Sequence, residues 1–186
     1  MKKLFICFTL IFLFSSFFSF SQENEKKIKP DSVVAVEYKK HELKLGAVKL
    51  LFRILDLEYE FVFGKYSSAG ANLIVNLSPD DNYLYNFSIS PFFRMYFSKK
   101  EEYGTKGFFA QAFLPYYMGE EYGFRNNANK VGYSNFGFGV GAGSKWVNKK
   151  GFVLQIFFGV GRGFGSSYFS QFIVQGDMYL GYKFSK

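Results

Sequence analysis

The chain has 186 residues, with 23 lysines and arginines against 15 aspartates and glutamates, and 23% of its residues are aromatic. This length is enough for one domain. Cys7 is the only cysteine and lies in the apolar N-terminal segment, which excludes disulfides, zinc–thiolate sites and cysteine nucleophiles from the rest of the chain.

The net charge of +8 is compatible with a nucleic-acid partner. The lysines are dispersed and form no stripe, so we predict no nucleic-acid partner.

The N-terminus predicts the compartment. A basic start, MKK, precedes an almost wholly apolar run over residues 4–20, and the serines of SFSQ lie three and one residues before Gln22. This order of charged, apolar and small-residue regions is typical of a secretory signal peptide, which we predict over residues 1–21. A transmembrane anchor is the alternative, but it needs about 20 apolar residues and this run is shorter and interrupted by two serines.

After this segment the sequence divides into a leader and a strand-rich unit. Residues 22–41 are polar with little periodicity, and we predict a periplasmic leader. From residue 42 onwards, alternating runs are separated by turn residues, and no helical period of useful length is found. Eight strands at this spacing indicate a sandwich or a barrel. The predicted strands are 42–51, 53–63, 67–77, 84–97, 106–118, 132–146, 152–163 and 171–185.

Each strand has an oily face and a second face of different composition. In LEYEF, at 57–61, the apolar and aromatic residues alternate with Glu58 and Glu60, and in NFGFGVGAG, at 135–143, they alternate with glycines. Side chains alternate faces with period two in a strand. A water-exposed face normally carries Lys, Glu and Thr, whereas here it carries Gly, Asn, Gln, Ser and a few charges. This mixture fits the narrow interior of an eight-stranded barrel, with the oily face turned to lipid.

We therefore predict an all-β fold, an eight-stranded antiparallel up-and-down transmembrane β-barrel over residues 42–186. The alternative is a secreted soluble lipocalin-like barrel with the oily face inside and a ligand in its cavity. That arrangement would expose to water a face rich in glycine and asparagine, which is unusual for a water-exposed sheet. A two-sheet sandwich would expose the same face.

Several segments resemble one protein family. They are LEYE at 57–60, SPFFRMYF at 90–97 and the closing LGYKF at 180–184, together with GFVLQIFFGVGRGF at 151–164. In order and spacing they are similar to the small outer-membrane β-barrels of Gram-negative bacteria gathered in a domain-of-unknown-function family. The resemblance covers roughly residues 42–186. It implies an outer-membrane barrel and supplies no activity.

The charged residues of the predicted inner face are candidates for an internal ion-pair network, because buried charges are tolerated only when paired and hydrogen-bonded. Lys44 and Lys145 are further possible partners. An alternative role for Glu58 and Glu60 is acid–base work on a sugar, since they lie about 7 Å apart on one face. A packed eight-stranded interior leaves little room for a sugar. The predicted ion-pair residues are Asp56, Glu58, Glu60, Arg94, Asp177 and Lys183.

The residues for catalysis are few. The single histidine, His41, lies before the first strand, no GxSxG element occurs, and one histidine is too few for a typical metal site. GVGRGFG at 159–165 lacks the GK[ST] ending and the following helix of a phosphate loop. We predict no enzyme, no catalytic residue, no cofactor and no metal. The alternative is an outer-membrane lipid-modifying enzyme that uses His41 or the interior acids.

The predicted role is that of a structural or interaction protein in the outer membrane of a Gram-negative bacterium, with membrane lipid as its partner. With both chain ends periplasmic, the segments 78–83, 119–131 and 164–170 face outward. Loop 119–131 is the longest and most polar, and it is the predicted site for an extracellular partner. We expect a monomer. The sequence names no ligand.

Overall fold

The computed structural model describes residues 39–64, 66–78, 86–97, 105–122, 130–165 and 171–184. The predicted signal peptide and the leader up to residue 38 lie outside these ranges. None of the described helical residues forms a segment long and apolar enough to cross a membrane. The elements are β1 (His41–Gly46), α1 (Ala47–Leu50), β2 (Ile54–Val62), β3 (Ser67–Asn76), β4 (Phe87–Tyr96), β5 (Gly107–Phe113), β6 (Tyr116–Tyr122), β7 (Lys130–Val147), β8 (Phe152–Phe164) and β9 (Phe172–Phe184).

These strands form one closed antiparallel barrel. β5 and β6 together make one barrel strand, because both pair with β4 on one side and with β7 on the other. Counted in this way, each barrel strand pairs with the next along the chain. β1 pairs with β2 on one edge and with β9 on its other edge, which closes the ring. The predicted all-β fold with eight antiparallel barrel strands is confirmed.

β1 is shorter than predicted. The sequence predicts a strand over 42–51, but the strand ends at Gly46 and one helical turn follows. Continuing the alternation of β1 would turn Lys49 to the outer face with Leu43, whereas the helical turn lets its ammonium pair with the carboxylate of Asp56 inside the barrel. In the helical turn the ammonium of Lys49 thus gains a buried partner of opposite charge, which the continued strand would not give it.

The short β1 leaves a gap in the β1–β9 ladder. Residues 172–178 of β9 pair with β8 but have no partner on β1 in the described chain. The carboxylate of Asp177 lies where the ladder stops, and it accepts hydrogen bonds from the backbone N–H groups of Val48 (2.9 Å), Lys49 (3.1 Å) and Met178 (2.7 Å). A side chain therefore replaces strand pairing at this point of the wall.

The fifth barrel strand is interrupted. The sequence predicts one strand over 106–118, but β5 and β6 are separated by residues 114–115, and β6 continues to Tyr122. Residue 115 is a proline, which has no N–H to donate to the ladder. The predicted loop 119–131 is accordingly shorter than expected, because both of its ends belong to strands, and its central residues 123–129 lie outside the described ranges.

The two faces of the wall have opposite character. On the inner face Glu58 and Arg94 are 1% and 0% exposed, whereas on the outer face Leu43 is 52% and Phe158 is 62% exposed. The predicted orientation, with the carboxylates inward and the oily residues outward, is confirmed. The barrel thus has a polar and charged interior at its chain-termini end, continued by an aromatic and aliphatic cluster that includes Phe109, Phe113 and Phe157.

The glycines of β7 make room for this cluster. A methyl group added at Gly143 would meet the ring of Phe109 and the backbone oxygen of Ile156 closer than van der Waals contact, and one added at Gly139 would overlap the ring of Phe113. Large side chains from β5 therefore fill the interior only because the facing positions of β7 carry no side chain.

Replacing Gly143 by alanine is expected to lower the free energy of unfolding by about 1–3 kcal/mol, because the added methyl group overpacks the interior. Gly132→Ala, on the same strand, is the matched control, since the nearest atom to its added methyl group is 4.0 Å away. Its effect should stay within about 0.5 kcal/mol. Thermal unfolding in detergent followed by circular dichroism compares the two. Equal stability of both variants would contradict the proposed packing role of the Gly143 position.

Candidate functional site: the charged interior

The candidate site is a group of charged side chains inside the barrel, supplied by β1, α1, β2, β4, β7 and β9. All are buried or nearly so, and the most exposed of these side chains, that of Lys49, is 12% exposed. Five are acidic and five are basic, so their formal charges cancel. The acidic members are Glu42, Asp56, Glu58, Glu60 and Asp177, and the basic members are Lys44, Lys49, Arg94, Lys145 and Lys183.

Arg94 lies at the centre of the larger part of this group. Its guanidinium donates from Nη1 to Glu60 (2.6 Å) and to Gln155 (2.8 Å), and from Nη2 to Glu58 (3.2 Å). Its Nε donates to Gln111 (2.9 Å). One buried cation is thus bonded to three other strands, β2, β5 and β8, and charge-assisted hydrogen bonds of this kind are the stronger ones in proteins.

Two aromatic rings lie against this guanidinium. The central carbon of Arg94 lies 4.6 Å from the ring centroid of Phe92 and 4.1 Å from that of Phe109. A guanidinium over an aromatic face gains a cation–π attraction, which grows when water is excluded. The guanidinium donates hydrogen bonds to several acceptors and also lies over two aromatic rings. A lysine ammonium cannot make both sets of contacts, so a lysine would not replace Arg94 at this position.

Two lysines also form ion pairs with the glutamates of this network. Lys44 Nζ lies 2.7 Å from Glu58 and also forms an ion pair with Glu60. Lys145 Nζ lies 2.8 Å from Glu42 and 3.0 Å from Glu60. Glu60 is therefore in contact with three cations, and the charges of β1, β2, β4 and β7 form one connected network.

A second, smaller group lies beside α1. The carboxylate of Asp56 pairs with Lys49 and accepts hydrogen bonds from the amide of Asn72 and from the hydroxyl of Tyr179 (3.2 Å). Together with the backbone contacts of Asp177 described above, these bonds hold the helical turn against the barrel. This group fastens the end of β1 to its neighbours.

The six predicted ion-pair residues fall into different places in these groups. Glu58, Glu60 and Arg94 contact one another, and Lys183 lies 3.2 Å from Glu42. Asp56 contacts Lys49 instead of Arg94, and Asp177 is bonded to backbone N–H groups.

Sequence reasoning missed two members. Glu42 shares the inward parity of Lys44 in HELKLG, so alternation within β1 was a signal that could have found it. The predicted continuation of β1 placed Lys49 on the outer face, and only the helical turn brings it inside. The contact partners depend on the register of strands across the barrel, which alternation does not give.

His41 lies on the other side of the wall from these acids. Its Nδ1 lies 2.7 Å from the hydroxyl of Tyr59, and its ring stacks on that of Phe184 at a centroid distance of 5.7 Å. Its neighbour Glu42 points inward and is fully buried. The structure therefore does not bring His41 and the interior carboxylates together.

The carboxylates of Glu58 and Glu60 have no free oxygen. Both oxygens of Glu58 accept from Arg94, and those of Glu60 accept from Ser68 and Tyr96 on one side and from Arg94 on the other. A general acid or base must be within reach of a substrate proton, and here those positions are filled by protein groups. Among the described residues, no group of three or more His, Cys, Asp or Glu side chains is placed to hold a metal.

Comparison with known proteins gives no relative. The chain matches no protein-family model, no curated protein and no solved structure. The resemblance to a family of small outer-membrane barrels stays a prediction from the sequence.

Proposed function

We propose that the protein is an integral outer-membrane β-barrel with a closed interior, which acts as a structural or interaction protein. The observation that carries the proposal is the belt of large apolar side chains on the outside of a barrel whose charges lie inside. This distribution is the reverse of the one expected when a single sheet closes around an apolar core in water.

The outer belt extends around the barrel. Soluble monomers rarely expose contiguous apolar patches of more than a few hundred Å². Here seven of the eight barrel strands contain at least one large apolar side chain that is more than a third exposed, and the eighth, β3, is followed directly by one, Leu77. Examples are Leu43, Phe61, Leu77, Phe93, Phe108, Val140, Phe158 and Leu180. Lipid would cover these side chains, and their aromatic members would lie at the two membrane surfaces.

The proposed interior is a plug of side chains and not a channel. An eight-stranded barrel is just wide enough for side chains to fill it. The fully buried Arg94, Lys44, Lys145 and Glu60, each paired with opposite charge, fit that use. A protein of this kind presents loops on a membrane anchor, and we propose no reaction for it. Support for this comes from the engaged carboxylate oxygens and from the position of His41 on the outer face.

We further propose that both chain ends face the periplasm and that the opposite rim faces outward. On that rim β6 and β7 run on to Tyr122 and Lys130, and the segment between them, 123–129, is our proposed contact for an extracellular partner. Loops at a barrel rim carry binding functions more often than the wall does.

A soluble lipocalin-like barrel is the alternative, because the number of strands and the closed topology are compatible with both. The two proposals differ in what covers the outer belt, which is lipid in one and water in the other. Membrane location therefore distinguishes them.

Cells expressing the whole chain are expected to carry the protein in the outer-membrane fraction, and detergent should be needed to release it. On a denaturing detergent gel, the unheated sample and the boiled sample should migrate differently. A closed membrane barrel stays folded in the detergent until it is heated. A periplasmic protein that is soluble without detergent and shows no such shift would overturn the membrane proposal and support the lipocalin-like alternative.

A further inference from the structure

A cluster of basic and aromatic side chains lies at the end of the barrel where the described chain begins and ends. The lysines come from the segment before β1 and from the turn between β7 and β8, and the rings come from the adjoining ends of β8 and β9. We call this cluster the basic collar. Its members are Lys39, Lys40, Lys149, Lys150, Phe152, Tyr182 and Phe184.

The collar is held together by contacts between its parts. Lys39 Nζ lies 3.4 Å from the hydroxyl of Tyr182 and 5.0 Å from the centroid of the same ring. The rings of Tyr182 and Phe152 meet edge to face at 5.6 Å. A methyl group added at Gly151 would lie 3.1 Å from Lys39 Nζ, which places this ammonium beside the β7–β8 turn. Lysines from distant parts of the sequence are therefore gathered on one side of the barrel.

The β7–β8 turn presents its two lysines in a defined geometry. The side-chain oxygen of Asn148 accepts from the backbone N–H of Lys150 (3.0 Å) and of Phe152 (2.9 Å), and Gly151 adopts a positive φ of 98° that favours glycine. Lys149 and Lys150 are both exposed. The turn thus holds two exposed lysines in the positions directly before Gly151 and Phe152.

No described carboxylate offsets these charges at this end. Glu42, the nearest acidic residue along β1, is fully buried and bonded to Lys145 inside the barrel. Glu120 lies on β6 near the opposite rim. Among the described residues, the exposed surface at the chain-termini end therefore carries cations directly outside a ring of aromatic side chains.

We propose that the basic collar binds the phosphate groups of anionic phospholipids in the membrane leaflet at the chain-termini end. This inference rests on the proposed membrane location. Aromatic rings prefer the headgroup level of a bilayer, and lysines just beyond them reach the phosphates. Lysines near an anionic membrane surface are each attracted by roughly 1 kcal/mol, or about a factor of 5 in binding.

The test uses the detergent-purified protein reconstituted into phosphatidylcholine vesicles with and without about 30% phosphatidylglycerol. Spin-labelled phosphatidylglycerol and spin-labelled phosphatidylcholine report the preference for the anionic lipid. The combined variant Lys39→Ala, Lys149→Ala, Lys150→Ala should lose this preference, while Lys→Arg at the same positions should keep it. About 0.5 M salt should reduce the preference of the parent protein.

A matched control removes charge from the opposite end. Arg53 and Arg162 are exposed there, and the variant Arg53→Gly, Arg162→Ala should reduce the preference by less than the triple alanine variant does, because it removes two cations instead of three. Glycine is used at position 53 because the backbone there has a φ of 60°. An unchanged preference in the triple alanine variant, or an equal loss in the control variant, would overturn the inference while leaving the membrane barrel in place. Failure to enter phosphatidylcholine vesicles at all would overturn both.

Discussion

Replacing Arg94 by alanine is expected to lower the free energy of unfolding by about 3–5 kcal/mol, because it removes a buried cation shared by two buried carboxylates and leaves the interior with one negative charge too many. Arg94 is the shared partner of Glu58 and Glu60, and the three side chains are at most 1% exposed. Water does not reach the two carboxylates to compensate for the loss. Lys44 and Lys145 remain, but they already bond to the same acids.

Two further variants make this test specific. Arg162→Ala removes an exposed arginine and should change stability by less than about 0.5 kcal/mol. Arg94→Lys keeps the positive charge but loses the planar guanidinium with its several hydrogen bonds and its contacts with the rings of Phe92 and Phe109. Its stability should therefore lie between that of Arg94→Ala and that of the parent. Urea unfolding in detergent micelles gives the free energies. An Arg94→Ala protein as stable as the parent would show that the interior ion pairs contribute nothing net.

An arginine on the outer face is expected to be costly in the middle of the wall and tolerated at its rim. Val140 is 52% exposed and lies well inside the 18-residue β7, whereas Phe97 is 60% exposed and directly follows β4. If lipid covers the outer belt, Val140→Arg should cost about 2–4 kcal/mol and Phe97→Arg roughly 0–1 kcal/mol. Unfolding of both variants in phospholipid vesicles measures the difference.

The choice of Val140 follows from the structure. Tyr59 is a less suitable position, because its hydroxyl is hydrogen-bonded to His41 near the rim. An arginine there would combine the loss of this bond with the cost of a charge on the outer face. Val140 pairs with Ala112 and Val160 on its two sides, and no polar partner is lost on substitution. Small and equal effects at Val140 and Phe97 would indicate that water covers both positions.

Period-two alternation, together with the composition of the two faces, was enough to predict which face of each strand is buried. Parity groups Glu58 and Glu60 on one face, and the Gly, Asn, Gln and Ser residues that share this face around the barrel indicate that it is the inner one. Both interpretations hold because a one-residue shift would turn every side chain of a strand to the wrong side of the wall. The fold class followed from the same pattern, repeated eight times with short turns.

The partners of the charges could not be predicted in this way. Parity places Asp56 and Arg94 inside, but the register across β2, β3 and β4 separates them along the barrel, and the helical turn brings Lys49 to Asp56 instead. The end of β1 was also missed, because AVKLL is compatible with strand continuation and only the position of Asp177 and Asp56 makes the helical turn favourable. Asp177 is 129 residues from Val48 in the sequence, so alternation within β1 carries no information about this contact.

The shortness of β1 has a consequence for how the barrel assembles. The β1–β9 ladder joins residue 41 to residue 184, so it closes the longest loop in the described chain, yet it runs only from His41 to Gly46. Every other pairing brings together segments that are close in sequence, and such contacts form early in folding at little entropic loss. The joint between the first and last strands should therefore form last and separate first. The carboxylate of Asp177 holds the helical turn that follows β1 against β9. It therefore stabilises the contact between the first and last strands that closes the barrel.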